Sequence, residues 1–297
     1  MIDSRYQQRA YEGPADLRAM QTLAQRLWPG GPGRWHIGEL AALPLARGAR
    51  PEAEDFALWE HEGTVVGWAA RPGDADGTMA PLRLQLDPDH VELAPGVVGW
   101  AASARVAVTD AEQGLLDALR GLGYRQADDH PAVLQLRRRL TDLPTPQTPE
   151  GYWLRHVRGE TDAEALAGVH HAAAGGSGTA PDDGAEEYRR AMSCWPYRPD
   201  LDWLAGLTAC GMAVAGCVGW LDETNRVVSL GPVATHPDHR QHGLARAAAL
   251  AAMHAARRLG AIEATARVRA DDPSTRALHE ALGFATAARE ITLVRTE

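Results

Sequence analysis

The most specific chemistry in the sequence lies in VATHPDHRQHGLARAAALAAMHAARRLG, from Val233 to Gly260. An apolar strand leads into a short polar loop bearing Pro237, Arg240, Gly243 and Ala245, and a long Ala/Leu-rich helical run follows. A helix beginning after Gly243 has N–H groups without intrahelical partners and a positive dipole end at one place, which is an anion site. Small residues there let the backbone approach a ligand closely, and an arginine adds charge. No GxxxxGK[ST] loop is present, so a nucleoside-triphosphate P-loop is excluded. The Gly-rich stretch Ala172 to Ala180 lacks a following Lys-Ser/Thr and reads as a flexible cover.

Other reactive side chains give weaker signals. Cys194, Cys210 and Cys217 are odd in number, lack CxxC spacing and have no obvious His or Asp neighbour, so neither disulfide, zinc ribbon nor nucleophile is indicated. Of twelve histidines, His170 and His171 are adjacent and do not share a helix face. His236, His239 and His242 lie in the loop without supporting carboxylates, and no metal site is expected. Trp195, Pro196, Tyr197 and Trp203 offer an aromatic wall for a ligand, or core packing.

The elements that must position these residues occur twice. At 297 residues the chain suits two domains. A proline-rich polar segment, TDLPTPQTPE from Thr141 to Glu150, reads as the linker between residues 1–140 and 151–297. The second half runs from the strand-like GYWLRHV through a helix after Thr161, a polar helix near Glu186 to Met192, and a hairpin of Trp203–Thr208 with Ala213–Leu221. Strand Arg226–Thr235, the long helix, strand Ala261–Val268, helix Pro273–Leu282 and strand Arg289–Arg295 follow. The first half repeats this plan with helix Asp16–Leu27, hairpin Phe56–Ala70, strands Leu82–Leu86 and Arg105–Val108, and helix Glu112–Leu122. The expected class is α+β, each half a mixed, mostly antiparallel sheet flanked by helices.

A formal net charge of −9 argues against nonspecific nucleic-acid binding. Arg246, His254, Arg257 and Arg258 interrupt the longest apolar run, and Met1 to Gly13 has no apolar leader, so no membrane role and a cytoplasmic address are expected.

The loop and its helix resemble the acyl-CoA-binding motif Pro-x-x-Arg-x-x-Gly-x-Gly/Ala of the GCN5-related N-acetyltransferase (GNAT) superfamily. A second stretch, ADDPSTRALHEALGFATAAREITLVR, is similar to the family's C-terminal pattern of Asn-x-x-Ala-x-x-Leu-Tyr followed by Gly-Phe, with Ser274 at the asparagine and His279 at the tyrosine. The resemblance implies two tandem GNAT-type domains with acetyl-CoA as co-substrate. It implies backbone hydrogen bonds from Val233, Ala234 and Thr235 to the pantetheine arm. It places the pyrophosphate on Arg240 and the N–H groups of Gln241, His242, Gly243, Leu244, Ala245 and Arg246, with Ser274 also at the cofactor. His279 is then the candidate proton donor to the leaving thiolate, because imidazole titrates near neutrality. Many relatives carry a glutamate on the strand before the loop, whereas SLGPVAT has none. Asp222, Glu223, Glu187, His170 and His171, or a water chain, remain open as base.

Laying Pro88-Asp89-His90 on Pro237-Asp238-His239 sets Val91, Glu92, Ala94 and Pro95 opposite Arg240, Gln241, Gly243 and Leu244. Glu92 would repel a phosphate and Pro95 has no N–H to give, so the N-terminal copy is expected to be degenerate. Laying Leu122-Gly123-Tyr124 on Leu282-Gly283-Phe284 instead sets Leu119 opposite His279, and the first half is the shorter one between these two anchors, where the long helix should be. The resemblance implies acetyl transfer to a primary amine of a small molecule by direct attack. A noncatalytic acyl-CoA sensor and a mycothiol-synthase-like acetyltransferase are the alternatives, and a homodimer is compatible with either.

Overall fold

The computed structural model describes residues 4–45, 55–72, 80–176 and 182–295. The first half forms β1 (Tyr6–Ala10), α1 (Pro14–Leu27), α2 (Ile37–Leu45), β2 (Phe56–His61), β3 (Thr64–Ala70), β4 (Arg83–Leu86), α3 (Ala94–Ala101), β5 (Arg105–Thr109), α4 (Gln113–Gly121), β6 (Arg125–Gln126) and β7 (Val133–Arg139). The second half forms β8 (Tyr152–His156), α5 (Ala163–Ala173), α6 (Asp182–Ser193), β9 (Asp202–Leu207), β10 (Ala213–Asp222), β11 (Val227–Thr235), α7 (Leu244–Arg258), β12 (Glu263–Arg269), α8 (Pro273–Ala281) and β13 (Ala285–Val294). Residues 141–150 carry no helix or strand. Among the described residues no helix is long and apolar enough to cross a membrane.

These elements form two compact units. The first comprises Met1–Gln135, Arg267–Pro273 and Thr286–Glu297, and the second Leu136–Ala266 and Ser274–Ala285. Within the second, β8, β9, β10 and β11 are consecutive antiparallel neighbours and β12 joins β11 in parallel. Leu136, from β7, follows β12: its carbonyl accepts the Thr265 hydroxyl at 2.9 Å. Leu204 and Ala205 are adjacent on β9 and so point to opposite faces. Leu204 packs with Leu166 of α5, and Ala205 with Leu244 of α7, so helices cover both faces. The many alanines of α7 are buried and let it lie close to the sheet.

The first unit repeats this order. Strands β1 to β4 are antiparallel, and Leu82, just before β4, bridges Val106 of β5 in parallel. Strand β13 then pairs with β5, its Glu290–Val294 against Thr109–Arg105. Trp59 and Trp68 are fully buried in separate clusters, Trp59 with α3 and α4 residues and Trp68 with α1 and α2 residues. Helix α3 spans 8 residues where α7 spans 15.

Candidate functional site

Strand β11 pairs with β12 only across Val227–Ser229. Beyond Ser229 the two part, and β11 carries on alone on that side. The His236 N–H donates to the Val214 carbonyl on β10, so alternation turns the main-chain groups of Thr235 and Val233 away from β10, into the opening. Ala234 faces the other way, opposite Gly216. A register shift between Cys217 and Gly219 accompanies Gly231 and Pro232, and bends the strand where the opening begins.

A single turn of 3-10 helix over Pro237–His239 ends β11, and α7 starts at Leu244. Gln241 and Gly243 both have left-handed φ, 65° and 74°. Gly243 is the N-cap of α7, and no side chain caps the helix. The main-chain N–H groups of Leu244, Ala245 and Arg246 therefore point from the first turn towards the end of the opening. Tyr152 of β8 fixes the loop from below, its hydroxyl 3.0 Å from His239 Nδ1. His242 Nδ1 hydrogen-bonds the Arg240 carbonyl at 2.8 Å. Exposed Arg240 sends Nη2 to the Ala173 carbonyl at 3.1 Å and Nε towards that of Thr235. Its guanidinium thus stays at the loop, tying it to the end of α5. A free strand edge, a left-handed glycine and an uncapped helix start fit the arm and pyrophosphate of an acyl-CoA.

Ser274 is exposed near the start of α8. His279 is buried, 2% exposed, its ring edge-on to Phe284 at 5.3 Å. Its Nδ1 lies 2.8 Å from the Thr275 carbonyl, which fixes the proton on Nδ1 in the neutral ring. Among the candidate bases, Asp222 caps the β10–β11 turn, taking the N–H groups of Thr224 and Asn225. Glu223 is exposed and paired with Arg198. His170 lies against Tyr188, and burial pushes its imidazole down to about 4, leaving it neutral. The expected cover over Ala172–Ala180 falls partly outside the described residues.

One acid gave no signal in the sequence. Asp202 is the first residue of β9, opposite Val218 on β10, and 1% exposed. Its Oδ2 accepts the Tyr197 hydroxyl at 3.0 Å, while Oδ1 has no partner among the described residues. Tyr197 stacks edge-on to Trp220 at 5.9 Å, and the Trp220 indole donates to the Gly231 carbonyl at 3.0 Å, on the bent part of β11. Burial pushes the Asp202 carboxyl up to about 7, against the opposing Tyr197 bond. The phenols of Tyr188 and Tyr197 are raised by burial first and by Asp202 second. Asp202 resembles the turn residues around it in PDLDW, where aspartate is common, so nothing marked its place inside the sheet. Trp203, its neighbour, points the other way and donates to the Asp200 carbonyl.

In the first unit the loop after β4 keeps its anchor but not its anion site. Tyr6 on β1 lies 2.9 Å from His90 Nδ1, as Tyr152 does from His239. Tyr6 also donates to Glu92, and that bond holds the Glu92 carboxylate below its ordinary range. No group of three or more His, Cys, Asp or Glu suited to a metal ion occurs among the described residues.

Residues 179–284 match the model of the Acetyltransferase (GNAT) family. No curated protein matches the chain. Over nearly full length the fold is similar to three solved structures. The GCN5-related N-acetyltransferase from Sphaerobacter thermophilus is 19% identical with TM-score 0.59, covering 99% of this chain and 96% of that one. A tandem GNAT protein from the clavulanic acid biosynthesis pathway is 16% identical with TM-score 0.62, over 97% of each chain. A GNAT-family acetyltransferase from Colwellia psychrerythraea is 15% identical with TM-score 0.63, over 98% and 100%. The parted β11–β12 strands and the loop at α7 thus lie within the segment that matches the GNAT family model, and the chain as a whole shares the fold of these solved structures.

Proposed function

We propose that the second unit is an acetyl-CoA-dependent N-acetyltransferase acting on a primary amine of a small molecule. The observation that carries this reading is the uncapped start of α7 at the end of the open β11 edge. Val233 and Thr235 hold the arm, and the α7 N-terminus with Arg240 holds the pyrophosphate. The co-substrate supplies an activated thioester carbonyl to this site.

Amide formation needs a neutral amine and a proton for the departing thiolate. Asp202 serves the first need, drawing in the ammonium form and taking its proton. It stands two strand spacings from β11, roughly 10 Å, so the proton travels through Tyr197 or water. The amine nitrogen then bonds the acyl carbon as the carbon–sulfur bond breaks. His279 gives the departing sulfur its proton and takes back the proton that the new amide nitrogen sheds. Tyr197 and Trp220 favour an acceptor with an apolar or cationic body.

A second reading is a noncatalytic acyl-CoA sensor, favoured by the lack of any acid on β11. Release of CoA thiol from acetyl-CoA over a panel of amines tests both. Turnover lost in Arg240→Glu and reduced in His279→Ala and Asp202→Asn supports the enzyme. Binding without turnover of any amine supports the sensor, and absence of acetyl-CoA binding overturns both.

A further inference from the structure

We propose that the first unit binds a small carboxylic acid, as its anion, in a cavity between the end of β4 and the start of α4. The cavity holds about 170 Å³, and Arg34, Leu86, Val91, Glu112, Gln113 and Leu115 are among its lining residues. It is close in size to a cavity known to admit benzene, about 150 Å³, so its occupant is a molecule of that order. It occupies the place in the first unit that the acyl-CoA opening holds in the second, at the end of the fourth strand.

Three hydrogen bonds deliver Arg34 to this place. The Gly33 N–H donates to Gln135 Oε1 at 2.8 Å, the Thr109 hydroxyl donates to the Gly33 carbonyl at 3.2 Å, and the Trp35 indole donates to the Leu84 carbonyl at 3.2 Å. Gly33 is required there: its φ is +100°, and a Cβ would lie 2.9 Å from Thr109 Cγ2. Segment Gly33–Trp35 thereby covers the strand edge that the second unit leaves open on β11. A long pantetheine arm is excluded, and a short pocket remains beside it.

Two independent features in this pocket call for an anion. Helix α4 starts at Gln113 with no side-chain cap, so the N–H groups of its first turn face the cavity end. The Arg34 side chain is nine-tenths buried, and its Nε has no acceptor among the described residues. Its Nη1 is paired with Glu112. Asp87 is occupied by Arg26 and by the Asp89 N–H, so Glu112 is the acid that competes for Arg34.

Glu112 is a poor permanent partner. Burial pushes its carboxyl up to about 7, although Arg34 and a backbone N–H of Thr109 both favour the anion. Glu290 opposes ionisation, Arg267 favours it, and Arg267 is itself engaged by Glu290 and Glu39. A ligand carboxylate can therefore replace Glu112 on Arg34 while Glu112 takes up a proton, leaving the net charge of the cluster unchanged. Leu86, Val91 and Leu115 would hold a short apolar tail.

The test is titration of the full-length protein with butyrate, butyramide and inorganic phosphate, following the Trp35 indole N–H by NMR. Butyrate should shift this resonance saturably and butyramide should not. Because a proton is taken up, butyrate affinity should fall about tenfold per pH unit above the Glu112 pKa. Glu112→Gln should flatten that dependence while keeping the Trp35 signal in place. Val91→Trp, at the half-buried rim, should abolish binding in a protein whose remaining spectrum is intact. An unmoved Trp35 resonance, an equal response to butyramide, saturation by phosphate but not butyrate, or unchanged pH dependence in Glu112→Gln would each overturn the proposal.

Discussion

Asp202→Asn should stabilise the second unit above neutral pH while lowering its turnover. The native carboxyl titrates near 7 instead of 3.8 because it is buried with one hydrogen bond. That difference corresponds to about 4 kcal/mol, taken as an upper limit. Below about pH 4 both folded and unfolded forms are protonated, and the group contributes nothing. Between 4 and 7 the unfolded chain loses its proton first, so the folded state binds more protons and stability falls as pH rises. Above 7 the full cost is present. Asparagine retains an acceptor for the Tyr197 hydroxyl and carries no charge, so the variant should gain most of that cost at pH 8 and roughly a third of it at pH 5. Hydrogen exchange of the β9 and β10 amides reads the second unit by itself. An equal difference between variant and parent at both pH values would refute the account, since a packing change alone does not titrate.

Three further outcomes follow from the geometry. Gly243→Ala should cost about 1 kcal/mol in thermal unfolding, because its φ of 74° is left-handed while a Cβ there meets no atom within 4 Å; weaker acetyl-CoA binding should accompany it. Removal of residues 286–297 should open the first unit by taking away the partner of β5, seen as new proteolytic cuts within residues 105–126 while residues 152–222 stay protected. His279→Tyr, which installs the tyrosine of the family pattern, should retain more turnover than His279→Ala in release of CoA thiol, because a phenol can still donate a proton.

Periodicity and turn chemistry made most of the second half legible. Strand β11, the loop and α7 follow from an apolar run, a proline and a glycine with an alanine-rich helix behind them. Pro273 at the first helical position and Gly283 just past the end likewise give α8. Strands β1 and β7 were not legible. Among Tyr6–Ala10 only Tyr6 is buried, and in Val133–Arg139 polar Gln135 lies inside while Arg137 to Arg139 are at least partly exposed. Such strands are stabilised by their neighbours' ladders rather than by alternation of their own. The exchange of closing strands was hidden for the same reason: Leu136 and Thr265, or Thr109 and Glu290, meet only once the chain has folded. Asp202 and Glu112 look like ordinary turn acids in the sequence, and burial by distant residues gives each its altered titration.

The two loops also separate the requirements of the fold from those of the site. Both hold a histidine against a tyrosine of the first strand, so the ladder and the loop anchor survive together. Their paths diverge at the next residues. In the second unit the left-handed Gln241 and Gly243 break the backbone, and α7 begins anew with its first N–H groups unpaired. In the first unit the helical turns over Pro88–Leu93 kink at His90 but run on into α3 with no left-handed residue, and the Ala94 N–H is spent on the Val91 carbonyl. Pro95 removes another donor. Thus restoring charge alone, by Glu92→Gln with Val91→Arg, should not create acyl-CoA binding in the first unit. Its donors are consumed by the backbone path, and Trp35 still covers Leu84 on the strand edge. Measured binding stoichiometry would decide the matter: one acetyl-CoA per chain in this variant is expected, and two would show that charge, rather than backbone path, had silenced the first unit.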